Sequence, residues 1–156
     1  MCYLQHMKKL VFLFLLSFTT LQAQQLEGKV VKVADGDTFT MLVYKEQIKI
    51  RLHGIDCPEK SQDFGNVAKT FLSDMVAGKL VKVKKMDTDR YGRTIGMVFI
   101  DGKNVNEELL RAGLAWHYKY YDKNPEWAKL EEEARSAKKG LWLMADPVAP
   151  WEWRKR

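Results

Sequence analysis

Apolar and polar residues alternate along several short stretches of the chain, beginning near residue 26. Between Ile48 and Leu52 every second residue is apolar and the two between them are basic, which predicts a strand with one buried face. Similar stretches, many rich in β-branched residues, predict strands over 26–34, 37–44, 48–55, 80–83 and 94–100. The Asp35-Gly36 pair predicts a tight turn between the first two strands, so the first three strands are expected to form an antiparallel meander.

Three other segments carry apolar residues at helical spacing. They lie at 67–76, 105–110 and 127–134. We expect Asn66 to cap the first helix, Gly78 to end it and Pro125 to open the third. One helix after the third strand and two after the fifth predict an α+β fold of mostly β structure, a five-stranded OB-type barrel with three helices.

The N-terminal segment differs from the rest of the chain. Lys8 and Lys9 precede an uncharged, mostly apolar run at 10–21, followed by polar residues. This layout predicts a signal peptide at 1–23, followed by a folded domain at 24–143 and an extended tail at 144–156. An uncleaved anchor is the weaker alternative because the run is short for a bilayer, and Met7 is an alternative start. We therefore expect a secreted or periplasmic protein without stable membrane association after cleavage.

Composition narrows the class of partner. The 156 residues suffice for one domain with a hydrophobic core, and their formal charge is +6. Removal of the signal segment takes away two lysines and no acids, so the remainder stays basic, which suits a phosphate-rich partner. Cys2 would leave with that segment, so Cys57 has no partner for an internal disulfide.

The stretch R-L-H-G-I-D-C-P-E at 51–59 places a guanidinium and two carboxylates where a strand opens into a loop. Gly54 and Pro58 are expected to end the strand. Such a group of charges has two readings. It is either a surface salt bridge or a site that holds a divalent cation together with an anionic substrate.

Four motifs in order decide between these readings. They are D-G-D-T at 35–38, the stretch at 51–59, D-R-Y-G-R at 89–93, and V-N-E-E-L-L-R-A-G-L-A from Val105. Each motif alone is weak, but together they closely resemble the staphylococcal nuclease (thermonuclease) family over 26–142. The resemblance implies the OB-type barrel of that family and a nuclease activity.

The resemblance also implies a metal site. Asp37 and Asp56 match the aspartates that hold Ca²⁺ in such nucleases, and Cys57 matches a residue that ligates through its main-chain carbonyl. Cys57 replaces a threonine of the best-known member. Its thiol is a poor calcium ligand, and the favoured interpretation is a small buried apolar side chain.

The remaining site residues are assigned by the same resemblance. Arg51 and Arg93 match the arginines that contact the scissile phosphate, and Glu59 matches the carboxylate that orients or deprotonates the attacking water. Tyr91 resembles a tyrosine that lines the nucleotide pocket. A second pocket tyrosine is expected among Tyr118, Tyr120 and Tyr121, without a choice between them. Catalysis is not expected of His53 and His117, and solvated charge is expected at Lys119, Lys123 and 154–156.

The sequence thus predicts a secreted, monomeric, calcium-dependent nuclease. The resemblance implies that it cuts the 5′ P–O bond of DNA and RNA, leaves 3′-phosphate ends, shows little base preference and favours single-stranded or denatured substrate. Two alternatives stay open. One is an OB-fold nucleic-acid-binding module without catalysis, and the other is a secreted binder of sugars or proteins, which would not explain the acids and arginines.

Overall fold

The computed structural model describes residues 24–156, so the predicted signal peptide lies outside the described part of the chain. The strands are β1 Gln25–Val33, β2 Thr38–Val43, β3 Glu46–Leu52, β4 Ile55–Asp56, β5 Leu80–Thr88, β6 Thr94–Ile100, β7 Lys103–Asn104 and β8 Trp116–His117. The helices are α1 Gly65–Val76, α2 Val105–Arg111, α3 Pro125–Ser136 and α4 Pro150–Trp153, with a 3₁₀ turn at Gly140–Leu143. Among residues 24–156, none of the helices combines the length and apolarity needed to cross a bilayer.

Five of the strands close into a barrel. The order is β3-β2-β1-β5-β6, and all neighbours in this series are antiparallel. The barrel closes where β3 pairs in parallel with β6, with Arg51 opposite Ile95. This arrangement confirms the predicted five-stranded OB-type barrel and the predicted meander of the first three strands.

The core fills the barrel and the space under α1, α2 and α3. Alternate residues of β6 are buried, and α1 buries Ala68, Leu72 and Val76 on one face. Phe39 and Ile50 are 0% exposed, and full burial of one such side chain contributes about 1.5–3 kcal/mol. The strand ends beside α1 are therefore rigid, which is the condition for placing functional groups accurately.

The first helix begins differently from the prediction. Asn66 is not the cap, because Gly65 is already helical and Phe64 precedes it in the left-handed region at φ 66°. The packing of Gly65 explains the shift, since a Cβ there would collide with the main-chain carbonyl of Glu59. The loop after β4 thus packs directly onto the start of α1, which fixes the position of Glu59.

Two other elements also differ from expectation. The fourth predicted strand, expected at 80–83, extends as β5 to Thr88. The C-terminal segment, expected to be extended, contains one helical turn at Pro150–Trp153, opened by a proline whose fixed φ suits the first helical position. This turn determines where the last residues lie relative to the strand ends.

Candidate active site

Asp37 is held at the start of β2 by close packing of the preceding turn. A Cβ at Gly36 would lie 2.7 Å from the Cβ of Ala68 and 2.8 Å from the Cβ of Cys57, so only glycine fits. The Asp37 carboxylate accepts a hydrogen bond from the Cys57 main-chain N–H at 2.7 Å and one from the Thr38 hydroxyl at 3.2 Å. Asp37 is only 5% exposed, so its carboxylate has a fixed orientation.

Arg51 joins the two aspartates. Its guanidinium lies 3.2 Å from Asp37 Oδ1 and 2.8 Å from Asp56 Oδ1. It also donates to the main-chain carbonyls of Leu52 at 2.8 Å and Ile55 at 2.9 Å. All these contacts lie where β3 ends and β4 begins, so the predicted charged strand end is a partly buried cluster rather than a surface salt bridge.

Asp56 and Glu59 extend this cluster towards solvent. Asp56 is 1% exposed and sits on the short strand β4, opposite Trp116 of β8. Glu59 lies in the following loop, where its N–H donates to Gln62 Oε1 at 2.8 Å, and its side chain is 38% exposed. The site therefore has two buried carboxylates, those of Asp37 and Asp56, and a more exposed third carboxylate, that of Glu59, at its rim.

The two buried carboxylates of Asp37 and Asp56 carry more negative charge than the guanidinium of Arg51 neutralises. Burial raises the pKa of Asp37 to about 7, although Arg51 opposes the shift and the neighbouring Asp35 and Asp56 add to it. Burial would lower the pKa of Arg51, but Asp37 and Asp56 outweigh it and raise that pKa. A further cation at this position would relieve the repulsion between the carboxylates.

Cys57 behaves as a small apolar residue, as the favoured interpretation expected. It is 4% exposed and belongs to the main hydrophobic core. Burial and the nearby Asp37 raise the pKa of its thiol well above the ordinary value, which makes it a poor nucleophile. Its contribution at the site is the main chain, since its N–H already orients Asp37.

Arg93 and Tyr91 lie in the turn between β5 and β6 and do not contact the acid cluster among the described residues. Asp89 shapes this turn by accepting from the N–H groups of Tyr91 and Arg93, each at 2.9 Å. The Arg93 side chain pairs with Asp89 at 2.7 Å, and Tyr91 is 69% exposed. The parallel pairing of β3 with β6 nevertheless places the Arg93 backbone beside the end of β3 that carries Arg51.

Two further groups lie near the cluster, one that was not predicted there and one of the three tyrosines considered for the pocket. Arg154, expected to be solvated, lies 2.7 Å from Asp56 Oδ2 and 2.6 Å from Glu59 Oε1, so that expectation is wrong for this residue. Among the three candidate tyrosines, Tyr118 comes closest to the site, because its N–H donates to Gly54 O at 2.8 Å. Tyr118 stacks on Trp151, whereas Tyr120 and Tyr121 are exposed.

Asn106 is a further residue that sequence reasoning missed. It is fully buried on α2, donates to His53 O at 2.9 Å and accepts from Val98 N–H at 3.1 Å. Asn106 thereby connects the loop after β3 with β6. The pairing of β3 with β6 closes the barrel. A signal existed in the sequence, since an asparagine at a core-facing helical position next to Val105 requires a hydrogen-bonding partner.

The donor set suits a hard cation. Within residues 24–156, no group of three or more His, Cys, Asp and Glu side chains could hold a metal ion. Two buried carboxylates with a main-chain carbonyl and water are oxygen donors of the kind that calcium accepts in loose geometry. Burial is the main cause of the raised pKa of Asp37, and Asp35 and Asp56 add to it, so a cation bound beside Asp37 would favour the ionised carboxylate.

A closed five-stranded barrel of this kind belongs to the OB class of folds, whose members bind oligonucleotides or oligosaccharides. Comparison with known proteins identifies the group within that class. The sequence model of the family described as staphylococcal nuclease homologue matches residues 49–144. This chain therefore belongs to the staphylococcal nuclease family, as its sequence motifs predicted.

Individual relatives agree with this assignment. An uncharacterized endonuclease of Escherichia coli O157:H7 is 46% identical over 145 residues, which cover 92% of this chain and 94% of that protein. An uncharacterized endonuclease of Haemophilus influenzae is 41% identical over 153 residues, covering 96% and 86%. The staphylococcal-like nuclease CAN1 of Arabidopsis thaliana is 49% identical over 113 residues, covering 72% of this chain but 35% of the plant protein.

Proposed function

We propose that this protein is a calcium-dependent endonuclease that hydrolyses DNA and RNA at the 5′ P–O bond with little base preference. One observation carries the proposal: Arg51 holds the buried carboxylates of Asp37 and Asp56 together at a rigid strand end, with Glu59 at the rim. This arrangement occurs in a chain that belongs to a nuclease family and matches endonucleases over nearly its whole length.

Calcium would be held by Asp37, Asp56 and the Cys57 main-chain carbonyl. When bound there, it would supply a Lewis acid beside the scissile phosphate. Glu59 is the group at the rim with the freedom to receive a proton, because its side chain is more exposed than those of the two aspartates. It therefore suits the role of orienting and deprotonating the attacking water.

The reaction forms a P–O bond to the water oxygen and breaks the bond from phosphorus to the 5′ oxygen. The leaving oxygen takes a proton, so the products carry a 3′-phosphate and a 5′-hydroxyl. Arg51 and Arg93 would neutralise the charge that grows on the phosphate oxygens. Arg93 first has to leave Asp89, and its side chain is 30% exposed, which leaves it room to turn.

Substrate preference follows from which groups are accessible. The exposed ring of Tyr91, flanked by Arg90 and Arg93, offers a base-stacking surface that does not distinguish one base from another. Unpaired bases can reach such a ring and paired bases cannot, so single-stranded or denatured nucleic acid is the favoured substrate. Contacts to phosphate carry no sequence information, which accounts for the low base preference.

Export and a monomeric state are part of the same proposal. The layout of residues 1–23 supports a secretory signal, and a secreted or periplasmic nuclease would meet calcium at concentrations that a loosely built oxygen site can bind. Cell fractionation of the full-length protein tests the location. Recovery of the protein with the cytoplasmic fraction would contradict export and would leave the proposed nuclease activity unaffected.

The test of the activity is digestion of denatured DNA with calcium and then with a chelator. We expect Glu59→Gln and Arg93→Ala each to slow turnover roughly 100-fold or more, since each removes a group that acts mainly in the transition state. Glu46→Gln is the matched control, because Glu46 is an exposed acid at the opposite end of β3. Calcium-independent digestion, or undiminished digestion by both site variants, would refute the proposal, and binding without hydrolysis would favour the non-catalytic module.

A further inference from the structure

The C-terminal segment packs next to the candidate active site through two tryptophans. Trp151 stacks on Tyr118 with ring centroids 4.7 Å apart and planes 12° apart. Trp153 donates its indole N–H to the Ser61 hydroxyl at 3.2 Å. Both anchors belong to the helical turn α4, and Arg154 follows directly after it.

Arg154 uses both terminal nitrogens of its guanidinium on the site acids. One nitrogen lies 2.7 Å from Asp56 Oδ2, and the other lies 2.6 Å from Glu59 Oε1. The guanidinium therefore bridges the buried carboxylate of Asp56 and the carboxylate of Glu59 at the rim. Arg154 is 98 positions from Asp56 in the sequence and 95 positions from Glu59.

The two short contacts of Arg154 are with carboxylate oxygens that accept no hydrogen bond from Arg51 or from the main chain of residues 24–156. Both carboxylate oxygens of Asp37 already accept bonds, one from Cys57 N–H and the other from Thr38 and Arg51. Asp56 Oδ1 accepts from Arg51, so Oδ2 is the oxygen available to a further cation. One terminal nitrogen of Arg154 occupies that oxygen, and the other donates to Glu59 and, at 3.4 Å, to Asp56 Oδ1.

Arg154 is also placed where exchange is possible. Its side chain is 45% exposed, whereas that of Arg51 is 13% exposed. The Arg51 side chain donates to two main-chain carbonyls in addition to pairing with two aspartates. Among residues 24–156, the Arg154 guanidinium contacts the carboxylates of Asp56 and Glu59 and no main-chain carbonyl. The pair with Glu59 joins two exposed side chains and is worth little net free energy, and at the buried Asp56 a divalent cation would replace the positive charge that Arg154 supplies.

We propose that Arg154 is an internal counter-ion, or plug, that competes with the divalent cation for Asp56 and with the attacking water for Glu59, so that metal binding displaces Arg154 and loosens the C-terminal segment. This inference rests on the calcium site of the proposed function. Because linkage is reciprocal, the segment weakens calcium binding by the same factor by which calcium weakens docking of the segment. A nuclease with such a plug needs a higher calcium concentration for activity than the same site without it.

The test is calcium titration by calorimetry of the mature chain and three variants. Arg154→Ala is expected to bind calcium about tenfold more tightly, within the range usual for coupling between two sites. Lys155→Ala is the matched control, since it removes the same charge from the same segment but pairs only with Glu152, and it should change the affinity less than about twofold. Arg154→Lys, which keeps the charge and loses the fork, should fall between the two.

A second measurement follows the segment itself. In the wild type, calcium is expected to shift the indole N–H resonances of Trp151 and Trp153, while that of Trp127, buried in the core, stays in place. Equal or weaker calcium affinity of Arg154→Ala relative to the wild type overturns the plug and leaves the nuclease proposal intact. Absence of calcium binding by all four proteins overturns the calcium site, and the plug with it.

Discussion

Asp56 carries two arginines that differ in what surrounds them. Arg51 is nearly buried and contacts two carboxylates and two main-chain carbonyls, so removing it would leave Asp37 buried without this cationic partner, whereas Asp56 would keep Arg154. Breaking a buried pair in this way typically costs about 3–5 kcal/mol. Activity lost in an Arg51 variant would therefore mix catalysis with stability, which makes Arg93 the sharper probe of phosphate contact.

Cys57 gives a prediction at the same scale. If the residue serves the site through its main chain, Cys57→Ala should retain calcium-dependent turnover within about threefold, because the carbonyl and the N–H remain. The stability cost should be roughly 1 kcal/mol, since a buried sulfur is exchanged for a small void. Turnover with and without calcium, together with urea unfolding, measures both effects.

Cys57→Ser is the companion variant. It has the same main chain but buries a hydroxyl among apolar neighbours, so it should be less stable than Cys57→Ala by about 1–3 kcal/mol and retain the activity of the folded fraction. Loss of calcium binding in a folded Cys57→Ala protein would show that the thiol itself takes part, contrary to this assignment.

At the scale of elements, one carboxylate connects the loop after β3 with the segment between β8 and α3. Asp122 accepts from His53 at 3.0 Å, from His117 at 3.1 Å and from the Asn124 N–H at 2.8 Å. The contact requires Gly54, whose φ is +66° and where a Cβ would lie 2.6 Å from the Cβ of Asp122. The two histidines thus hold loops together and do not contact the acid cluster.

These bonds give stability a definite pH dependence. Burial would raise the pKa of Asp122, but the bonds from Asn124, His117 and His53 outweigh it and lower the pKa below the ordinary value of 3.8. A group with a lowered folded pKa stabilises the fold above its unfolded pKa, and this contribution is lost as the pH falls through the folded pKa. Asp122→Asn should therefore lower the free energy of unfolding by about 1–2 kcal/mol at neutral pH.

The measurement is urea unfolding of both proteins as a function of pH, with Asp74→Asn as control. Asp74 is an exposed acid on α1, so its variant should match the wild type throughout. The gap between Asp122→Asn and the wild type should be constant above about pH 4 and close below it. A gap that widened as the pH fell would contradict the role given to Asp122.

The helices and strands show how much of the secondary structure the local sequence pattern predicts. Alternation and β-branched composition predicted β1, β2 and β6 closely, because each strand buries one face in the core. The third strand, predicted over 48–55, is instead Glu46–Leu52, and the chain pairs again as β4 at Ile55–Asp56. The start of α1 was not predictable, since Phe64 rather than Asn66 precedes the helix for reasons of packing between Gly65 and the Glu59 carbonyl. Tertiary contact decided that boundary, and no local signal in the sequence records it.

At the scale of the whole molecule, closure of the barrel brings the predicted acids to one place. Asp37, Arg51 and Asp56 were predictable as a group because the strands that carry them are consecutive and their turns are short. The contact of Arg154 with Asp56 spans 98 positions and depends on how the tail packs against the barrel. A run of basic residues at a chain end gives no indication of such a contact, so the sequence favoured solvated charge.

The overall positive charge leads to a final prediction about substrate binding. The chain carries +6, and each phosphate contact by an arginine releases counterions, so the affinity for single-stranded DNA should fall with salt at a logarithmic slope of about −0.7 per contact. Glu59→Gln, which should bind without cutting, serves as the background. With Arg51 and Arg93 both on phosphate, its dissociation constant should rise roughly sevenfold for a fourfold increase in salt.

Adding Arg93→Ala to that background should make the slope shallower by about 0.7, because one phosphate contact is lost. Adding Arg111→Ala instead should leave the slope unchanged, since Arg111 is already paired with Glu107 and Glu108 on α2. Binding of a fluorescent oligonucleotide at fixed calcium and varied monovalent salt measures the slopes. If both double variants gave the slope of the background, Arg93 would make no phosphate contact, and the turn at 89–93 would serve the fold alone.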